Sequence, residues 1–586
     1  MRILLLLLSI TFLLASCVSP QPSGNEKEIL DSLINSYWER EIRTGRAYSY
    51  QNTTFPDHLY KGTKEEFEDD SIYFSRLLFK LKSLGQNQLD NKALTDYDLV
   101  EWIATIRLEA TQYYDITFPN ITPYSRTLEG PDFILNHVPF KSEADLSKYI
   151  TLLKDYVQKQ KVDKSRLVTL ASNRILLPKP EVALVIEQLK GLDMKATSHS
   201  YYVSSTRLTQ IDSTKGILFQ QDIENILNNE IIPQYNDLRE YLGEEYIKSA
   251  PESVGLSQYP GGKEYYRHLV RWHTTTDLTP EAIHELGKGH VATISKKLDS
   301  IRIAVGYNGS MKDFYQFLRT DKRFLAATPD EVGNRLRSHI NRMDKVVSNL
   351  ISLRPKATGD VRRLPEALEP SMTFGYYKAP TPEDTVGVYF YNGSKLDQRS
   401  LVSAASVALH EIEPGHHWQF SLQIENDSLH AYRKNSFINA FTEGWGEYAS
   451  NLGVELNLYD DPYDYCGRLL MDMFLSVRLV VDTGMNYFGW TREQATEYMS
   501  LYLIESPTQI STETLRYSCD IQGQSLGYKI GSLKLMELRN KYKTALGDQF
   551  DVVKFHDTIL QTGSLPLEVL EKTLDRAFGL ESNSDK

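Results

Sequence analysis

The sequence predicts a mainly α-helical protein with one small β-sheet. Apolar residues recur at helical spacing along most of the chain. Two Thr-Pro pairs mark helix starts. One stretch alone, residues 372–392, has the β-branched and aromatic density of strands.

Residues 26–46 read as the first helix, with Ile29, Leu30, Leu33, Ile34 and Trp38 on one face. Residues 71–85, 94–114, 142–160 and 180–189 repeat the pattern. Thr279 before Pro280 supplies a cap and a first-turn proline for a helix over 281–298. Thr328-Pro329 opens another, which runs into residues 335–353. Within 372–392, Val386 to Tyr391 reads as a strand and the Pro-containing stretch 379–383 as a turn, so two short strands joined by a loop are expected. Helices then resume to the end. Residues 253–262 (SVGLSQYPGG) are loop-like and set a soft boundary. They separate an N-terminal helical part (27–255) from the part that carries the chemistry (256–586), within one continuous domain.

The chain opens on an export signal. Met1-Arg2 carries one positive charge, an apolar run of about 12 residues follows, and small residues precede Cys17. The run is shorter than the roughly 20 apolar residues of a membrane-spanning helix. Leu14-Ala15-Ser16-Cys17 resembles the bacterial lipobox, in which the cysteine becomes the acylated N-terminus. Residues 1–16 are then the signal peptide, and 17–26 the lipidated Cys17 with a Pro, Ser and Gly rich tether. The exported domain would meet a bacterial membrane through its lipid only, in the periplasm or at the cell surface.

Charge and cysteine content narrow the chemistry. A formal net charge of -12 argues against nucleic acid as a partner. Beyond Cys17 only Cys466 and Cys519 remain, so a zinc site must use histidine and carboxylate ligands.

The informative segment is LVSAASVALHEIEPGHHWQ, residues 401–419. Val402, Ala405, Ala408 and Leu409 form an apolar face, placing His410-Glu411 at the end of a buried helix. The segment is a near miss to H-E-x-x-H, in which two histidines one turn apart grip zinc and the glutamate takes a proton from the attacking water. Here Pro414 occupies the second histidine's place. In a straight helix His416 would diverge from His410 by about 120°, and His417 would lie about 10.5 Å along the axis. Pro414 breaks the helix against the carbonyl of His410, and Gly415 opens conformations closed to other residues. A bulge there returns His416 to the second ligand position. The plain alternative is a helix end with a Pro-Gly turn and two solvated histidines.

The third ligand is expected from FINAFTEGWGEYASNL, residues 437–452, where Glu443 and Glu447 share a face of an otherwise apolar helix. Glu443 completes a His-His-Glu set with one open position, as in catalytic zinc sites. Glu447 orients a ligand from behind.

HEIEPGHHWQ followed by EGWGEYAS resembles the bacterial family called domain of unknown function 885 (DUF885), related in outline to zinc metallopeptidases of the gluzincin kind. Residues 271–291, 376–392, 478–495 and 516–531 are similar to further family segments. The resemblance implies a large multi-helical metallopeptidase-like fold, with the small sheet beside the active-site helices and a deep cleft. It implies one zinc ion (Zn2+) per chain, held by His410, His416 and Glu443, with Glu411 as base and His417 as rival second ligand. It points to Arg516, Tyr517, Gln524 and Tyr528 as cleft-lining, with Tyr528 the first choice and Arg516 the second for donating to the developing oxyanion. The sequence departs from the family at Asn486, where a histidine is expected.

The reading is a zinc-dependent hydrolase, a metallopeptidase acting on short peptides or other small amides. One rival is a zinc hydrolase of an ester or non-peptide amide. The other is a lipid-anchored binding protein with a decayed site, which Asn486 favours and the intact Glu411 opposes.

Overall fold

A computed structural model of the chain describes residues 26–47, 55–123, 132–366, 368–369, 375–381 and 384–580. The signal peptide, Cys17 and nearly all of the tether lie outside the described residues.

The expected helices are present as Glu26–Arg43, Lys64–Lys82, Asn91–Ala110, Glu143–Ser172, Lys179–Gly191, Pro280–Ala304 and Pro329–Asp344. The second begins seven residues before the expected 71. The Thr63 hydroxyl accepts from the Glu66 N–H, and the Glu66 carboxylate accepts from the Thr63 N–H. This reciprocal cap starts the helix among charged residues that have no apolar periodicity.

The sheet has three strands: β1 (Thr358–Arg363), β2 (Tyr376–Lys378) and β3 (Val386–Tyr391), in the order β1-β3-β2. The two expected strands pair antiparallel, with Tyr377 opposite Tyr389. The additional strand β1 pairs parallel to β3, with Gly359 opposite Gly387. Its sequence, TGDVRR, is too polar to announce a strand.

One apolar core joins the two ends of the chain around the helices Ala404–Glu411 and Asn439–Glu455. Leu30, Phe74 and Tyr97 share it with Leu409, Trp445, Leu535 and Leu570. A second core, with Leu152, Tyr156, Val182 and Phe219, fills the lobe between residues 55 and 250. A third packs around the long helix Pro462–Asn486, through Met473, Val477 and Val481. Residues 253–262 are tied to that helix, because the Leu256 N–H donates to Asn486 Oδ1 at 3.2 Å. The helices Asn439–Glu455 and Leu526–Leu546 cross in close contact. A Cβ on Gly444 would lie 2.5 Å from Gly531 Cα, so the two backbones touch where neither residue has a side chain.

Cys466 and Cys519 are buried free thiols. Among the described residues, no helix is long and apolar enough to cross a membrane.

Candidate metal centre

The helix Ala404–Glu411 buries Ala405, Ala408 and Leu409 and stops after Glu411. The Ile412 N–H still donates to Ala408 O, and Pro414 then ends the ladder. Gly415 folds back so tightly that a Cβ would sit 1.7 Å from His410 O, a position open only to glycine. A new helix, His416–Glu425, starts there, with Gln419 N–H donating to Gly415 O. Trp445 Nε1–H donates to Pro414 O at 2.9 Å and pins the bulge to the helix Asn439–Glu455. The interruption brings the His410 and His416 rings to 4.6 Å between centroids, at 82°.

Glu443 meets both rings from the facing helix. Its Oε2 lies 3.7 Å from His410 Nε2 and 3.3 Å from His416 Nε2. The three donor atoms fall within 4.8 Å of one another. Ligands about 2.0 Å from a tetrahedral ion stand about 3.3 Å apart, so this spacing suits a single small divalent cation. Gly446, on the same helix, leaves room for the His410 ring, since a Cβ there would lie 2.8 Å from its Cε1.

Glu447 stands behind His410. Its Oε1 is 2.9 Å from His410 Nδ1 and its Oε2 is 3.0 Å from Arg468 Nη1. Burial opposes charge on this carboxyl, but Arg468 and His410 override it and hold its pKa at about 2. Glu443 is half-buried, and burial opposes its charge too, yet its contacts with His410 and His416 hold it well below the usual carboxylate range. Burial also opposes charge on His410, but the two carboxylates push its pKa up to about 10.

The residues fit a divalent metal. With both imidazoles neutral, the carboxylates of Glu411, Glu443 and Glu447 face the single guanidinium of Arg468, leaving two negative charges in a buried place. A divalent cation cancels them, and the donor set of two imidazoles and one carboxylate is that of catalytic zinc.

Glu411 is half-buried and makes no hydrogen bond or ion pair among the described residues. Burial raises its pKa, His410 and His416 act in the opposite sense, and Glu443 and Glu447 add to the rise. Tyr528 also faces the centre. Its ring stacks at 6.4 Å on His410, and burial with the nearby Glu443 charge pushes its phenol up to about 12. The Arg478 guanidinium lies 4.9 Å from its ring centroid. Gln524 is half-buried beside it, and Arg516 Nη2 donates to Gln524 Oε1 at 3.4 Å.

Three expectations need correction. His417 is not a ligand, for it turns to the sheet: Nε2 bonds Ala357 O at 3.0 Å and Nδ1 bonds Tyr377 OH at 3.0 Å. Its ring lies over the paired Gly359 and Gly387, where Cβ atoms would come within 2.8 and 2.3 Å of it. Tyr517 does not line a cleft, because it is fully buried between Arg478 and Glu513, accepting from Arg478 Nε at 2.6 Å and donating to Glu513. Asn486 is also fully buried, and its amide donates to Asp482 and Tyr517 O. It ties the end of its helix to its neighbours and holds no place at the centre.

Arg468 and Arg478 escaped the sequence reading. Each is a buried arginine in the apolar helix Pro462–Asn486, and that burial against type was the available signal.

A family profile described as bacterial protein of unknown function (DUF885) matches residues 44–574. A candidate lipoprotein from Colwellia psychrerythraea has a similar crystal structure, with a TM-score of 0.83 at 23% identity, covering 95% of this chain and 100% of that one. A candidate lipoprotein of unknown function from Shewanella oneidensis gives 0.73 at 17% identity, with coverage of 95% and 100%. These likenesses establish the fold. No curated protein sequence matches the chain.

Proposed function

The chain belongs to the DUF885 family of bacterial proteins, and from the centre its residues build we propose that it is a zinc-dependent hydrolase cleaving amide bonds of short peptides. The observation that carries the reading is an incomplete tetrahedron of His410, His416 and Glu443 with an unengaged carboxyl, Glu411, next to it. A purely structural zinc site would be closed by a fourth protein ligand.

Zinc held by these three residues would supply Lewis acidity, polarising a carbonyl and making water more acidic. Glu411 takes a proton from water as the water oxygen bonds to the carbonyl carbon. It returns that proton to the leaving nitrogen as the C–N bond breaks, giving a carboxylic acid and an amine. The Tyr528 hydroxyl donates toward the carbonyl oxygen as negative charge gathers there. Arg478, packed against the Tyr528 ring, holds that phenol in place. Glu447 and Arg468 fix the tautomer and direction of His410.

The test is a pair of measurements on the chain from Gly24 onward, bound zinc and peptide turnover. Wild type should hold one zinc per chain and cleave peptides. Glu411→Gln should hold zinc equally and lose about 100-fold or more in turnover. Turnover that survives the substitution rejects the assignment of the base.

The same reading makes the protein an exported lipoprotein anchored through Cys17, supported by the candidate lipoproteins that share its fold. Incorporation of a labelled fatty acid into wild type but not into Cys17→Ala is the expected result, and equal labelling of both rejects the anchor.

A further inference from the structure

A cavity of about 200 Å³ opens where the N-terminal helices meet the metal-site helix. Trp38, Trp102, Trp272 and Phe437 supply its aromatic wall, and Glu41, Arg46 and Arg107 its charge. A cavity of about 150 Å³ admits benzene, so this one has room for an aromatic ring with a small polar group attached.

Its charge is unbalanced. Arg107 Nη2 is 2.8 Å from Glu41 Oε2, and Arg46 Nη2 is 3.4 Å from Glu41 Oε1. Asp70, just outside, takes Arg46 at 2.7 Å and Arg40 at 2.5 Å. Among the residues that line the cavity, two guanidinium groups, Arg46 and Arg107, therefore share one carboxylate, Glu41. Arg107 lies 5.9 Å from the Trp272 ring centroid, so one end of the cavity joins a cation to an aromatic face.

The cavity adjoins the metal centre. Asn439 lines it and stands one helical turn before Glu443, about 6 Å along the axis. Phe437, 55% exposed at the mouth, stacks at 6.4 Å on Phe420, whose ring is 6.0 Å from that of His416. An extended peptide advances about 3.4 Å per residue, so two residues span the axial step.

We infer that this cavity binds the C-terminal residue of a peptide substrate, with an aromatic side chain against Trp38, Trp102 and Trp272 and the free carboxylate on Arg107. The inference rests on the hydrolase reading and gives it a substrate class: short peptides ending in an aromatic residue, shortened from the C-terminus. Guanidinium and carboxylate pair in a fixed fork, which a C-terminal amide cannot reproduce.

The test uses N-acetyl-phenylalanine and its amide, followed by tryptophan fluorescence and calorimetry on the full exported chain, with zinc bound and with zinc removed. The acid should bind about tenfold or more tighter than the amide in both states. Arg107→Met should abolish that preference, and the fold should tolerate it because Glu41 keeps Arg40 and Arg46 as partners. Ala47→Phe, which fills the cavity without removing a charge, should abolish binding of both. Equal affinity for acid and amide, indifference to both substitutions, or binding that requires zinc overturns the inference. Binding as expected with no cleavage of any peptide upholds the cavity assignment and sinks the hydrolase reading instead.

Discussion

His410 Nδ1 lies 2.9 Å from Glu447 Oε1, and the other oxygen of that carboxylate lies 3.0 Å from Arg468. This buried relay leaves His410 Nε2 as the atom that points at Glu443. Glu447→Gln keeps the shape but removes the charge that favours the ligating tautomer, so zinc affinity should fall about 10- to 100-fold. Competition with a chelating dye measures it. Arg468→Met should cost more in folding, about 3 to 5 kcal/mol, because it takes the guanidinium partner from the buried Glu447 charge. Unchanged zinc affinity in Glu447→Gln would mean that the relay is structural only.

Adjacent histidines give the sharpest contrast. His416→Ala removes a donor 3.3 Å from Glu443 and should abolish stoichiometric zinc. His417→Ala should retain zinc and instead loosen the sheet, leaving Ala357 O and Tyr377 OH without their partner. The expected loss is about 1 to 3 kcal/mol in stability. Zinc lost with His417→Ala and kept with His416→Ala would reverse the assignment.

The break at Pro414-Gly415 was legible in the sequence because proline and glycine act locally, and so was the shared face of Glu443 and Glu447. The choice between His416 and His417 was not. Neighbours on a helix point about 100° apart, and nothing in HEIEPGHHWQ says which direction faces the sheet. That is settled by Gly359 and Gly387, whose missing side chains admit the His417 ring. Strand β1 was hidden by its polarity. Tyr517 and Asn486 look functional in sequence, yet their partners, Arg478, Glu513 and Asp482, exist only after folding. The cavity escaped for the same reason, since its walls come from residues 37–47, 102–107, 272 and 432–439.

Two glycines flank Trp445 and should fail differently. Gly446→Ala places a methyl against the His410 ring, with contacts of 2.8 to 3.0 Å, and should lower zinc affinity by displacing that ligand. Gly444→Ala drives a methyl into the backbone of Gly531, 2.5 Å away, and should lower stability with zinc removed, by about 1 to 3 kcal/mol. Thermal melting with and without zinc separates the effects: the zinc-dependent increment shrinks in the first, and the metal-free melting temperature drops in the second. The opposite pattern would show that Gly446 serves the helix crossing and Gly444 the His410 ring, against the contacts of both.

Acid should destabilise the chain through histidines outside the candidate ligand set. Burial lowers the pKa of His199 and of His556 to about 4, against 6.5 for the free side chain. His556 is fully buried as a neutral ring, with Nδ1 2.7 Å from Leu350 O and Nε2 2.7 Å from Tyr448 OH. A carbonyl can only accept, so Nδ1–H donates and Nε2 accepts from the phenol; a proton on Nε2 would force the phenol to turn from donor to acceptor and would place a charge in a buried site. The unfolded chain gains its proton near pH 6.5 and the folded chain only near pH 4. Stability is therefore full above pH 6.5 and is lost as pH falls through that window, by at most about 3 kcal/mol for each ring. On zinc-free protein, His556→Gln should melt lower than wild type at pH 7.5 and lose less on going to pH 4.5. An identical acid slope in the two proteins would mean that His556 is already protonated in the fold, against the tautomer its two partners define.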